Sequence, residues 1–318
     1  MEQYSAKKTF IRLGLGLTVM ALVALVTQTI WFLGEEDPIG DSSTWMWLGT
    51  VIPLYLLAIP SFLLITRRMP VTEIPGEKLG ANRFWRLLPI CALFLYGGNI
   101  IGTILAAILS GGTAENALFT YVNDSNPLKI LVIVVLAPII EEYVFRKQII
   151  DRTVRYGEKT AVLLSGITFA LFHQNFYQLF YAFGIGVVLG YIYVRTGRLR
   201  YSILFHVGFN FVGSVIAPAV LQLSQSDLFM NPESLPLAQQ VMILPLSMLI
   251  LAFSSCISGL MIAGIVMLCI HVKKTVWLEK EDQIPKKEVF RQVYWNWGMM
   301  SFVLLTAIIT IVSLFYNI

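Results

Sequence analysis

Apolar runs long enough to cross a bilayer recur along the whole chain, and they constrain its fold more than any motif does. A spanning helix needs about 20 mostly apolar residues. Such runs fall at about 10–33, 46–66, 87–109, 128–148, 160–175, 177–194, 202–221, 240–270 and 295–316. The pair within 160–194 is short for two full crossings, and 240–270 is long enough to tilt or break. Eight or nine spans are therefore expected, and nine is adopted. Of the 318 residues, 57% are hydrophobic and only 13% charged, against about 25% charged in soluble domains. That balance excludes an ordinary cytosolic enzyme and a disordered chain. The expected fold class is all-α, a multi-pass helical bundle in a cell membrane.

The charges order this layout. With nine alternating spans, the N-terminus, the end of the fourth span and the segments 67–86, 149–159, 195–201 and 271–294 share one side. They hold 22 of the 23 Lys and Arg residues, leaving Lys129 on the other. An excess of Lys and Arg marks the cytoplasmic side, which places the N-terminus inside. Trp31, Trp45, Trp47, Trp85, Trp295 and Trp297 fall at or beside predicted span ends, where amphipathic rings favour the interface. The first run is longer than a signal h-region and has no A-x-A site before the loop 34–43, so it reads as a retained span. The net charge of +4 needs no nucleic-acid partner, since these basic residues set topology and meet the lipid bilayer.

Three features place ionisable or polar groups where lipid is expected, at about 2.5–3.5 kcal/mol for a mid-membrane charge. In Ala137-Pro-Ile-Ile-Glu141-Glu142-Tyr-Val-Phe-Arg146, adjacent glutamates point about 100° apart around a helix. Glu142 and Arg146, at i and i+4, can pair on one face. Glu141 is left without a partner in its own helix and is the candidate general base. Two solvated interfacial carboxylates are the alternative reading. The second feature is Phe169-Ala-Leu-Phe-His173, followed by Gln174-Asn175. A polar turn below the outer surface requires burial in protein or a water-filled cavity. The third is His206-Val-Gly-Phe-Asn210, whose i, i+4 pair suits either an oxyanion or interhelical packing.

Other features read as structural. Gly184, Gly186 and Gly190 indicate close helix packing, His271 is interfacial, and Cys91, Cys256 and Cys269 are too far apart for a CxxC site. No G-x-S-x-G, HExxH or P-loop is present. Helical rise puts Glu141 and His206 about 8–9 Å below the cytoplasmic flank but His173 about 20 Å below it. One shared site then needs a fifth span that begins above the surface, or tilted helices.

Glu-Glu-x(3)-Arg, Phe-x(3)-His and His-x(3)-Asn, in this order on successive spans, resemble the CPBP family of intramembrane proteases. That family includes the type II CAAX prenyl endopeptidases, bacteriocin-processing enzymes and Abi proteins. The resemblance covers about 128–215 and divides the chain into spans 1–127, a core 128–215 and spans 216–318. It implies that Glu141 activates water, that His173 positions it or transfers protons, and that His206 and Asn210 stabilise the oxyanion. Glu142 and Arg146 would be structural support. The implied partner is a membrane-associated peptide or protein substrate. A metal-free course is the expectation; if zinc takes part, Glu141, His173 and His206 are the donor set. A bacteriocin immunity or binding protein on the same scaffold is the alternative, as is a proton-coupled transporter. The latter would show inverted repeats, which the sequence lacks.

Overall fold

The computed structural model describes residues 5–34, 37–280 and 282–315. Residues 35–36 of the predicted first loop, 281 of the predicted last loop and 316 at the end of the ninth predicted span lie outside the described residues. Every regular element among the described residues is helical.

The long helices are α1 (Ala6–Leu33), α2 (Ser42–Thr66), α3 (Ala81–Ser110), α4 (130–153, with a 3₁₀ turn Val154–Tyr156), α5 (Glu158–Phe172), α6 (Phe176–Thr196), α7 (Leu199–Met230) and α8 (Leu237–Lys274). They are followed by a pair bent by 65°, α9 (Lys286–Tyr294) and α10 (Trp297–Val312). By length and apolarity, six of these helices can cross a membrane, or seven counting the bent pair. The difference from the nine expected lies in α4 and α5. The first carries Glu141, Glu142, Arg146, Lys147, Asp151 and Arg152, and the second has only 15 residues. α5 is largely enclosed by the rest of the bundle, whereas α4 keeps an exposed stripe of Leu131, Val135, Ile139 and Tyr143 opposite its buried charged face.

The core forms around α4. Phe10, Leu13 and Leu17 of α1, Phe62 of α2, Phe145 of α4, Phe169 of α5 and Phe302 of α10 belong to one buried cluster. Close approach between α3 and α6 depends on missing side chains: a Cβ on Gly98 would lie 2.6 Å from the Tyr181 backbone, and one on Gly184 would lie 2.2 Å from the Phe94 ring. The glycines of α6 thus pack as expected. By contrast, α8 buries only Gly264 and leaves apolar side chains exposed around its circumference, as a lipid-facing helix does.

The basic segments converge on one end of the bundle. Thr72 donates its backbone N–H to Asp151 O, Glu77 to Thr196 O, and Ile284 to Tyr156 O. Glu158, 3% exposed, pairs with Arg195 at 3.0 Å and Lys280 at 3.1 Å, and accepts from the Leu278 N–H. At the opposite end, Asp124 accepts from Ser43 Oγ and Trp47 Nε1, both at 2.6 Å.

Candidate active site

The local backbone of α4 sets the phase of the glutamates. Wide π-helical turns occupy Ile130–Leu136 and Tyr143–Gln148 and bracket the α-helical segment Ala137–Glu142. Such turns are frequent at functional sites. Ala137 donates to Val132 O, five residues back. In that register the next carbonyl, Ile133 O, would receive the N–H of residue 138, and Pro138 has none. Asn210 of α7 fills the gap, donating from Nδ2 to Ile133 O at 2.8 Å. One of its two amide hydrogens is therefore engaged, leaving a second.

The two carboxylates differ sharply. Glu142 has 0% side-chain exposure and meets Arg146, also 0% exposed, through Nε–Oε2 and Nη2–Oε1 contacts of 3.1 Å each. Arg146 also donates from Nη1 to Ser165 Oγ at 3.0 Å, and that hydroxyl donates to Phe145 O at 2.7 Å. This pairing is what makes a buried charge tolerable. Glu141 makes no such pair with its own helix and keeps 23% of its side chain exposed; its Oε2 faces His206 Nε2 at 3.6 Å.

His206 links the carboxylates. Its Nδ1 lies 3.0 Å from Glu142 Oε1, and a carboxylate only accepts, so Nδ1 carries the proton. His173, at the last turn of α5, is fixed the same way: Nδ1 donates to Phe169 O at 2.8 Å, which leaves Nε2 as an acceptor. Asn175 caps α6 by accepting from the Gln178 N–H, and Gln174 between them takes φ 55°, so the polar turn is tight.

Phe169 brings these parts together. Its ring meets His173 edge-on at 4.7 Å and His206 at 5.7 Å, and the Arg146 guanidinium carbon lies 4.7 Å from its centroid. The depth conflict disappears because α4 continues past 148, through the buried residues Ile149–Thr153, to the turn at Gly157. Glu141 and His173 are then each about 22 Å of helical rise from the adjoining ends Tyr156 and Glu158. Sequence reasoning assigned no role to Phe169 or Ser165. Both lie four residues apart on the stripe leading to His173, which is the pattern that marks them.

Glu141, Glu142, Arg146, His206 and Asn210 thus meet across α4 and α7, with His173 reached through Phe169. Among the described residues no three of His, Cys, Asp and Glu come close enough to share a metal ion.

Residues 123–212 match the family model of the Type II CAAX prenyl endopeptidase Rce1-like proteins. The "Membrane-embedded CAAX protease MroQ" of Staphylococcus aureus (strain USA300) is 27% identical over 187 residues, covering 53% of this chain and 74% of that protein. The "Putative membrane peptidase YdiL" of Bacillus subtilis (strain 168) is 30% identical over 165 residues, covering 49% of this chain and 66% of that protein. No solved structure matches at a significant level. The matched segment contains every residue of the cluster around Phe169, and over that segment this multi-pass membrane protein is similar to the Rce1-like CAAX proteases.

Proposed function

We propose that this chain is an intramembrane endopeptidase in which Glu141 activates water to hydrolyse a peptide bond of a membrane-associated protein or peptide. The observation that carries this reading is the unequal state of the adjacent carboxylates. Glu142 is saturated by Arg146 and His206, while Glu141 is the partly accessible one.

In this scheme Glu141 takes a proton from water as the oxygen attacks the scissile carbonyl carbon. Negative charge then develops on the carbonyl oxygen. The second Asn210 N–H and the His206 ring stabilise it, a contribution of about 2.7–4 kcal/mol per donor in well-placed sites. His206 Nε2 faces Glu141 Oε2 at 3.6 Å, so the proton taken from water can pass to it and turn that nitrogen into a donor. His173 Nε2, free to accept, orients the water or relays its proton. The proton finally reaches the leaving amine as the C–N bond breaks, giving a free carboxylate and a free amine.

A metal-free course is supported by the donor set itself. Among the described residues, Glu141, His173 and His206 do not close into a set that could ligate one ion. No step is routed through an ion.

The test is cleavage of membrane-tethered peptides by purified wild type and Glu141→Gln, with and without a zinc chelator. The reading expects wild-type cleavage in both buffers and none by the variant. Wild-type activity lost on chelation would overturn the metal-free course. A cellular function that survives Glu141→Gln would replace the enzyme with a binding protein on the same scaffold.

A further inference from the structure

The basic end of the bundle holds a cavity of ≈ 660 Å³ between the start of α3 and the end of α8. Lys78, Arg83 and Arg86 line one side, and His271 and Lys274 the other; Glu77 is the acid among the lining residues. None of Lys78, Arg83, Arg86 and Lys274 takes part in a salt bridge among the described residues. The same end of the molecule does pair its other charges, as Glu158 with Arg195 and Lys280 shows. Like charges around a shared cavity repel, and the repulsion calls for an anion.

The two arginines sharpen the point. Arg83 and Arg86 lie within the first two turns of α3, whose start at Gly80 has no side-chain cap. The positive end of a helix dipole disfavours cations there. Lys274 at the C-terminal turn of α8 is complemented by that helix's dipole, whereas the arginines are not. Orientation by the positive-inside rule asks for cations on this side of the membrane, but it does not ask them to face one another across a void.

We propose that this cavity binds a phosphate group presented by an anionic membrane lipid. Phosphate supplies the charge and the acceptor oxygens that arginine matches with paired N–H donors. A lipid is favoured over a free anion by what surrounds the cavity. Ile270 lines it, and Trp85 and Val272, next to Arg86 and His271 in the chain, are 66% and 68% exposed, an apolar surface for acyl chains. Trp85 is also the kind of ring that sits at headgroup level. The site is separate from the Glu141 cluster and does not depend on the proposed catalytic role.

The test is native mass spectrometry of the purified full-length chain titrated with phosphatidylglycerol, phosphatidylcholine or inorganic phosphate. Phosphatidylglycerol should bind at least tenfold more tightly than phosphatidylcholine. At about fivefold per cation, Arg83→Gln/Arg86→Gln should weaken it about 30-fold. Lys274→Gln, on the opposite wall, should weaken it about fivefold and serves if the double variant does not fold. Arg67→Gln/Arg68→Gln, exposed and outside the cavity, should bind as wild type does. Equal affinity for both lipids, or wild-type affinity in the cavity variants, would overturn the proposal. Inorganic phosphate binding as tightly as phosphatidylglycerol would overturn the assignment to a lipid.

Discussion

His206 Nδ1 and Glu142 Oε1 lie 3.0 Å apart, a single hydrogen bond that ties α7 to the buried ion pair of α4. The bond fixes which nitrogen of His206 faces Glu141. It also makes the Glu142–Arg146 pair part of the positioning of the site as well as of the core.

Removing one partner of a buried pair leaves the other charge stranded, at about 3–5 kcal/mol. Arg146→Met is expected to destabilise the protein by that amount. Glu142→Gln/Arg146→Met should recover part of the loss, because no unpaired charge then remains. Thermal unfolding of the single and double variants measures the coupling.

Asn210 is proposed to serve both backbone and chemistry, and the two can be separated. Asn210→Ala strands the Ile133 carbonyl, at about 1–3 kcal/mol, and removes the proposed oxyanion donor, at about 10²–10³ in kcat. Adding Pro138→Ala supplies the missing N–H to Ile133 O. Stability should return in the double variant while cleavage stays low. If activity returns with stability, Asn210 is structural only.

Packing of α3 on α6 should discriminate between glycines. Gly98→Ala forces a Cβ onto the Tyr181 backbone and is expected to cost about 1–3 kcal/mol or more by overpacking. Gly208→Ala, between His206 and Asn210, meets nothing within 4 Å. It should be neutral or stabilising by up to about 1 kcal/mol. Melting temperatures of the two variants decide this.

How much of this was legible before the structure follows from the reach of sequence patterns. Glu142 and Arg146 are i, i+4 neighbours, so their pairing follows from helical spacing alone. The bond from Glu142 to His206 crosses 64 positions and leaves no such trace. Hydropathy carried the helical membrane class; the span count turns on α4, whose apolar stripe shares the helix with six charged residues, and on α5, which has only 15 residues. Hydropathy also ended α4 near 148, since Asp151 and Arg152 read as loop charges. In the structure Asp151 accepts from Tyr193 Oη and Arg152 donates to Thr66 O, and the helix continues through them. The π turns flanking the glutamates depend on which carbonyl each N–H finds, and Pro138 was their only sign in the sequence.

At the end opposite the basic segments, Asp124 should give stability a dependence on acid pH. The Ser43 hydroxyl, followed by the Trp47 N–H and other donors, holds its carboxyl below the usual carboxylate value. A group depressed in the folded state contributes stability that is fully present above the unfolded value, about 3.9, and is lost as pH falls through the folded one. Asp124→Ala should remove about 1 kcal/mol at neutral pH after solvent screening and flatten the acid limb. Unfolding curves from pH 7 to pH 3 check both effects.

The central claim is that adjacent glutamates divide the work, Glu141 in chemistry and Glu142 in structure. Measuring cleavage rate and melting temperature together for Glu141→Gln and Glu142→Gln tests it most directly. The account predicts that Glu141→Gln loses cleavage by about 10³-fold or more, a general-base effect combined with lost water positioning, while melting as wild type does. Glu142→Gln should lose stability as well as activity. A Glu141→Gln protein that still cleaves, or a Glu142→Gln protein that is inactive at wild-type stability, would contradict the account.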